Sequence, residues 1–248
     1  MQKERPFVMS IAGYDPSGGA GLLADIKTFE QLKVYGLGIC TAMTVQTESQ
    51  CLSLNWQPLE DILLAIDVLM KNYCVEAVKI GIVKDTAFLT QIVEKIKSVN
   101  TETKIIWDPV LKSTSKFSFF DVNTIPHLEN ILQQIDLITP NYNEYQVLKE
   151  SNLLKKTENS ISVLIKGGHR NDKLGTDILT VKGKEIPIQP NGDTSVYYPK
   201  HGSGCVLSSA IASYLGLGKN LEEACRSGKL YIEKFLTSNP ALLGFHSN

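Results

Sequence analysis

The chain has 248 residues, a formal net charge of −1 and 43% hydrophobic residues. This suits one α/β domain with a large buried core, and near-neutral charge gives no electrostatic reason to expect nucleic acid or an anionic membrane as partner. The five cysteines (Cys40, Cys51, Cys74, Cys205, Cys225) are odd in number and lack a C-x-x-C spacing, so neither a disulfide framework nor a zinc site is indicated. A cytoplasmic protein without a signal peptide or membrane span is expected.

Phe7 to Ala12 reads as a buried strand. A loop dense in breakers follows, Gly13 to Gly21, and Leu22, Leu23, Ile26, Phe29 and Leu32 then mark an amphipathic helix. Gly38 to Val45 is the second strand, ending at Gln46, and a helix follows from Leu59 to Met70. Ala77 to Ile80 is a strand, Phe88 to Ile96 a helix, and Lys104 to Trp107 a strand ending in Asp108-Pro109. Residues 112–118 form a polar loop carrying Lys112 and Lys116, and Val122 to Ile135 reads as a helix. Leu137-Ile138 leads into Thr139-Pro140-Asn141 and a helix with Glu144. Ser162 to Ile165 runs into Lys166-Gly167-Gly168-His169, and residues 177–198 read as short strands around a Lys182-Gly183-Lys184 turn. Two final helices begin after Gly204 and near Leu221. Strands and helices alternating at this spacing predict a mostly parallel sheet with helices on both faces. Ligands of such sheets gather beyond the C-terminal strand ends, where Gln46, Asp108, Asn141 and Lys166 all fall.

The stretch His201-Gly202-Ser203-Gly204-Cys205 joins a glycine loop to a helix N-terminus. Orphan amides and the helix dipole make that a ready anion site, and the same field is expected to lower the pKa of Cys205 in the first turn. A capping loop with a packed cysteine would look the same. Asp108, Asn141 and Glu144 offer the hard oxygens that magnesium prefers; Asn141 and Glu144 equally fit a helix cap and its capping-box partner. Lys166 can neutralise phosphate charge, and Gln46 can both donate to and accept from a pyrimidine edge or simply cap a strand. His169 and His201 lack a metal-ligand spacing, and His127 and His246 carry no signal. An anion loop, cation-holding oxygens, a lysine and a base together match phosphoryl transfer, without a P-loop or a protein-kinase motif set.

The run Ala12-Gly13-Tyr14-Asp15-Pro16-Ser17-Gly18-Gly19-Ala20-Gly21 with Ala24-Asp25 resembles the N-terminal signature of the hydroxymethylpyrimidine and phosphomethylpyrimidine kinases of thiamine biosynthesis. The resemblance continues in family order through Thr41 to Gln46, Val78 to Gly81, Asp108-Pro109-Val110, Thr139-Pro140-Asn141 with Glu144, Lys166 to His169 and His201 to Cys205. It implies a single ribokinase-like kinase domain over residues 1–248: a three-layer α/β sandwich with a small β lid. It further implies that Gln46 bonds the pyrimidine while Ala20, Asp25 and Ile82 shape its pocket. Asn141, Glu144, Asp108 and Lys166 would organise Mg2+-ATP, with Asp108 and Glu144 serving the metal. Gly202 and Gly204 would form the anion hole, and Cys205 would be the base. The expected assembly is a homodimer. Tyr14, Thr47, Glu48 and Ile82 depart from the family pattern near the expected substrate pocket, so pyridoxal kinase activity stays an alternative. A nicotinamide enzyme is a remote one: Gly19-x-Gly21-x-x-Ala24 fits the dinucleotide fingerprint, but six residues separate it from the first strand. A non-catalytic pyrimidine binder would have no need of a base.

Overall fold

The computed structural model describes residues 4–111, 119–120, 124, 128–151, 161–169 and 175–247. The loop 112–118, with Lys112 and Lys116, and His127 lie outside the described residues. The strands are β1 (Phe7–Tyr14), β2 (Tyr35–Gln46), β3 (Cys51–Trp56), β4 (Val75–Ile80), β5 (Lys104–Trp107), β6 (Leu137–Ile138), β7 (Ser162–Ile165), β8 (Asp177–Val181) and β9 (Lys184–Ile188). They form one sheet in the order β3-β2-β1-β4-β5-β6-β7-β8-β9. The pairs from β2 through β1 to β7 are parallel, and β3, β8 and β9 join antiparallel at the two edges. The helices are α1 (Gly21–Gln31), α2 (Leu59–Asn72), α3 (Thr86–Val99), α4 (Glu129–Leu132), α5 (Tyr142–Glu150), α6 (Ser203–Gly216) and α7 (Leu221–Leu236). This is the expected mostly parallel sheet between two helical layers.

Strand residues alternate between the layers, as the pleat requires. Met9, Val78, Ile80, Ile105 and Trp107 face the core made with Ile62 and Ile66 of α2 and Leu89, Ile92 and Ile96 of α3. Val8, Ala77 and Ile106 face the opposite core, made with Ala24 and Phe29 of α1 and Val206, Ala210 and Ile211 of α6. Each face is apolar because helices cover both sides of a parallel sheet.

Two expectations change. The helix anticipated over Val122 to Ile135 is helical at Glu129–Leu132 among the described residues; Pro126 within the anticipated span is a poor helix-interior residue. The strand β3 had no counterpart in the sequence reading. It is an edge strand: the alternation Leu52-Ser53-Leu54-Asn55-Trp56 is present but short, and its apolar positions are not covered by a full core, with Leu52 65% exposed and Leu54 and Trp56 half-buried. The far part of β2, from Ala42 to Gln46, pairs with β3, and past Met43 it runs beyond its pairing with β1.

Candidate active site

Because β1, β4, β5, β6 and β7 run parallel, their last residues meet at one edge of the sheet. Trp107 hands over to Asp108, Ile138 to Thr139-Pro140-Asn141, and Ile165 to Lys166. The β6–β7 pairing extends past both strands through a bridge between Asn141 and Lys166. Asp108 is fully buried. Its Oδ1 accepts from Lys166 Nζ at 2.7 Å and from Thr139 Oγ1 at 3.1 Å. Burial works to raise the pKa of Asp108, but Lys166 and Lys79 hold it below the usual range.

Above this pair lies the start of α6. A Cβ on Gly204 would stand 3.1 Å from Lys166 Nζ and 3.7 Å from Asp108 Oδ2. Any side chain there would crowd the lysine, so glycine lets the backbone lie directly over the ion pair. Gly202 has φ +73°, and a Cβ there would lie 2.0 Å from the Gly19 carbonyl oxygen; conformation and space both demand glycine. Gly202 and Gly204 therefore set the start of α6 beside the Gly13–Gly21 loop and over the Lys166–Asp108 pair, where the Ser203 N–H donates to the Lys200 carbonyl at 3.4 Å.

Beneath Cys205 sits a second buried pair. Lys79 of β4 and Asp25 of α1 are fully buried, with Nζ 2.8 Å from Asp25 Oδ2. Ser10 Oγ donates to the same oxygen at 2.6 Å, and Ser209 Oγ of α6 donates to Oδ1 at 2.7 Å. Asp25, expected to line the pocket, thus has no exposed surface and spends both oxygens on internal partners. Cys205 lies in the fields of both pairs. Burial pushes its thiol up to about 11; Lys79 opposes this, and Asp25 and Asp108 add to it. The expectation of a lowered thiol pKa is therefore corrected: desolvation and two carboxylates outweigh the helix terminus.

Asn141 caps α5. Its side chain accepts from Glu144 N at 2.9 Å, and Glu144 Oε2 accepts from Asn141 N at 2.7 Å, a complete capping box. The box also holds Glu144 inward, 7% exposed. Burial raises its pKa to about 7; Lys166 opposes and Asp108 adds to the shift. Both carboxylates thus act on Lys166. Among the described residues, no three His, Cys, Asp or Glu side chains converge as a metal cage. Two carboxylates beside an anion loop still suit magnesium, which keeps several waters and binds phosphates in preference to an all-protein cage.

The remaining expected residues stand on the β1–β2 side. Ala20 packs against Gly202. The Ile82 side chain covers Gly13, where an added Cβ would lie 2.3 Å from its Cδ1, and Thr41 Oγ1 donates to the Ile82 carbonyl at 2.8 Å. Gln46 ends β2 just after a register shift and is paired with Cys51 of β3, away from the buried charges. Thr44 Oγ1 donates to the Tyr14 carbonyl at 2.8 Å and ties that end of β2 to the glycine loop. Three residues without an assigned role in the sequence reading are central here: Lys79, Asp15 and His201. For Lys79 the signal was present, a lone lysine inside the apolar run Ala77 to Ile80. A charge inside a buried strand requires a buried partner.

The phosphomethylpyrimidine kinase family model matches residues 15–247. The chain belongs to the phosphomethylpyrimidine kinase family. It is 31% identical to a hydroxymethylpyrimidine/phosphomethylpyrimidine kinase of Aquifex aeolicus, covering 94% of this chain and 95% of the relative. It is 32% identical to a bifunctional thiamine biosynthesis protein of Methanocaldococcus jannaschii, covering 97% of this chain but 56% of that longer protein. Among solved structures, a phosphomethylpyrimidine kinase of Clostridium difficile matches with TM-score 0.73 at 30% identity, over 92% of this chain and 98% of that one. A Staphylococcus aureus pyridoxal kinase matches with TM-score 0.78 at 23% identity, over 95% of this chain and 89% of that one, a likeness of fold. The family makes this chain a phosphotransferase of the ribokinase-like fold.

Glu144 yields a stability prediction with a definite sign. Its folded pKa, about 7, lies above the ordinary 4.5. The folded state therefore binds the proton more tightly, and this contribution is full below pH 4.5 and lost as pH rises through 7. Glu144→Gln keeps an acceptor for the Asn141 amide and removes the titration. Urea unfolding at pH 5 and pH 8 should show a drop in stability for the native chain that is smaller in the variant by about 2–3 kcal/mol. Equal drops would show that Glu144 is not held in a raised-pKa environment.

Proposed function

We propose that this chain transfers the γ-phosphoryl group of ATP to the hydroxymethyl oxygen of 4-amino-5-hydroxymethyl-2-methylpyrimidine, and then to its monophosphate, in thiamine biosynthesis. The observation that carries the reading is the close approach of Gly204, in the first turn of α6, to the Lys166–Asp108 pair, with Cys205 next in the chain. Amides at a helix N-terminus and an ammonium beside them are donors set where charge develops on a moving phosphoryl group. Asp108 keeps Lys166 charged and aimed. Asp108 and Glu144 would hold Mg2+ through water, and the ion would supply charge neutralisation on the phosphates. Gln46, Ala20 and Ile82 would receive the pyrimidine on the β1–β2 side, with Asp25 supporting them from beneath.

In the transfer, the alcohol oxygen forms a bond to the γ-phosphorus as the bond to the bridging β–γ oxygen breaks. ADP leaves with that electron pair, and the alcohol proton passes to Cys205 as thiolate. A thiol raised to about 11 is mostly protonated at neutral pH. The rate should therefore climb close to tenfold per pH unit between pH 7 and 9. Cys205→Ala should lower kcat by about 10²–10⁴-fold, abolish the climb and leave both KM values nearly unchanged. A steep climb that survives in the alanine variant would remove Cys205 from the proton transfer.

Gln46 decides the ring. Gln46→Leu keeps the size and strips the donor and acceptor, leaving ring nitrogens unpaired at a cost of about 1–3 kcal/mol. The KM for the pyrimidine should rise accordingly while that for ATP stays put. Equal rises in both would reduce Gln46 to a strand cap. The same reading includes a homodimer, in which a second copy covers the exposed Met43, Val45 and Leu52 of the β2–β3 edge. Sedimentation equilibrium should return twice the chain mass of 27.4 kDa, and a monomer mass alone would reject the dimer.

A further inference from the structure

Two loops meet over the candidate site, and one side-chain pair joins them. Asp15 lies just past β1 and is 1% exposed. Its Oδ1 accepts from Ser17 N at 2.8 Å; its Oδ2 accepts from Ser17 Oγ and Ala20 N, each at 2.9 Å, and meets His201 Nε2 at 2.9 Å. A carboxylate with this many donors offers only acceptors, so Nε2 carries the proton in this bond. The pair spans 186 positions of sequence. It is the polar counterpart of the Gly19–Gly202 backbone contact one residue further along.

His201 is gripped from the other side as well. Its backbone N–H donates to the Leu242 carbonyl at 2.9 Å. The neighbouring Lys200 donates through Nζ to Asn239 and Ala241 of the same C-terminal segment. The His201 backbone is thus held by the C-terminal segment and its imidazole by Asp15, directly before the left-handed Gly202. Any shift of His201 moves Gly202, the amides that follow and Cys205. A shift of Asp15 moves Ala20 and Gly21, whose N–H points at the Cys205 thiol. Asp15 and His201 thus make a side-chain link between the two loops that flank the reacting centre.

We propose that Asp15 and His201 are positioning residues for the transfer step, a latch that sets the spacing between the Gly13–Gly21 loop and the 202–205 amides. The proposal rests on the phosphoryl-transfer reading. The latch acts on geometry needed in the transition state, so its loss is felt in kcat rather than in ground-state binding.

The test compares His201→Ala with His201→Gln, whose amide nitrogen can reach Asp15 from the same side. Two quantities are followed: steady-state kinetics, and the rate at which iodoacetamide alkylates Cys205, read by mass spectrometry. In the alanine variant, kcat should fall by about 10²-fold, the cost of a misplacement near 1 Å, with both KM values within about twofold. Cys205 alkylation should speed up severalfold as the Gly21 side of the thiol opens. The glutamine variant should recover most of both. Native-like kcat and alkylation in His201→Ala would overturn the latch, and so would a His201→Gln variant as impaired as the alanine one. If His201→Ala does not fold, Asp15→Asn serves: it keeps the size but sets an N–H against the Ser17 or Ala20 donors, and it should show the same paired changes. If the native chain phosphorylates nothing, the transfer reading fails, while the alkylation series still decides whether the latch holds the loops.

Discussion

The buried ion pair between Lys79 and Asp25 is the constraint on which the site depends. Through Ser10, Asp25, Lys79 and Ser209 it joins β1, α1, β4 and α6 in a space without solvent. Taking two charges out of water is costly, and removing one partner of such a pair typically costs about 3–5 kcal/mol because the other is left uncompensated. Neither α1 nor α6 can slide along the sheet without breaking a bond to Asp25. The N-terminus of each helix is thereby held at the C-terminal edge of the strands. A second buried pair, Lys166–Asp108, lies alongside, so that carboxylates and ammonium groups share one interior. Cys205 sits among these charges, and its raised pKa follows from that setting rather than from its place on a helix.

Much of this was legible because it is local. The 3.6-residue rhythm of Phe88, Leu89, Ile92, Val93 and Ile96 marked α3, and all five are buried. Apolar runs ending in Asp108, Asn141 and Lys166 marked strand ends, and a parallel sheet necessarily gathers such ends. What escaped depends on distance in sequence. Asp25 and Lys79 are 54 positions apart and Asp15 and His201 are 186 apart, so no spacing rule links them. The β3 strand was passed over although Leu52-Ser53-Leu54-Asn55-Trp56 alternates: the run is short and, at the sheet edge, its apolar side chains stay partly open. The thiol of Cys205 was misjudged because a helix dipole can be read from a few residues. The desolvation by the surrounding core and the charges of Asp25 and Asp108 cannot.

Asn141 and Glu144 show why structural and functional readings of a residue need not compete. The capping box is real, with both reciprocal bonds formed. It is also what turns the Glu144 carboxylate toward Lys166 and buries it, which raises its pKa to about 7. The same economy holds at Gly204, which opens a helix and clears space for an ammonium group. In this fold the elements that terminate secondary structure at the strand ends are the ones that carry the polar chemistry, because only there does the backbone leave the covered sheet.

The central claim is that this arrangement serves phosphoryl transfer to an aminopyrimidine alcohol. It is tested most directly by ATP turnover in the presence of magnesium, with hydroxymethylpyrimidine, its monophosphate and pyridoxal measured in parallel. The account predicts the highest kcat/KM for the pyrimidine alcohol, turnover of its monophosphate and little with pyridoxal. A kcat/KM for pyridoxal above that for both pyrimidines, or no turnover of any of the three, would contradict it.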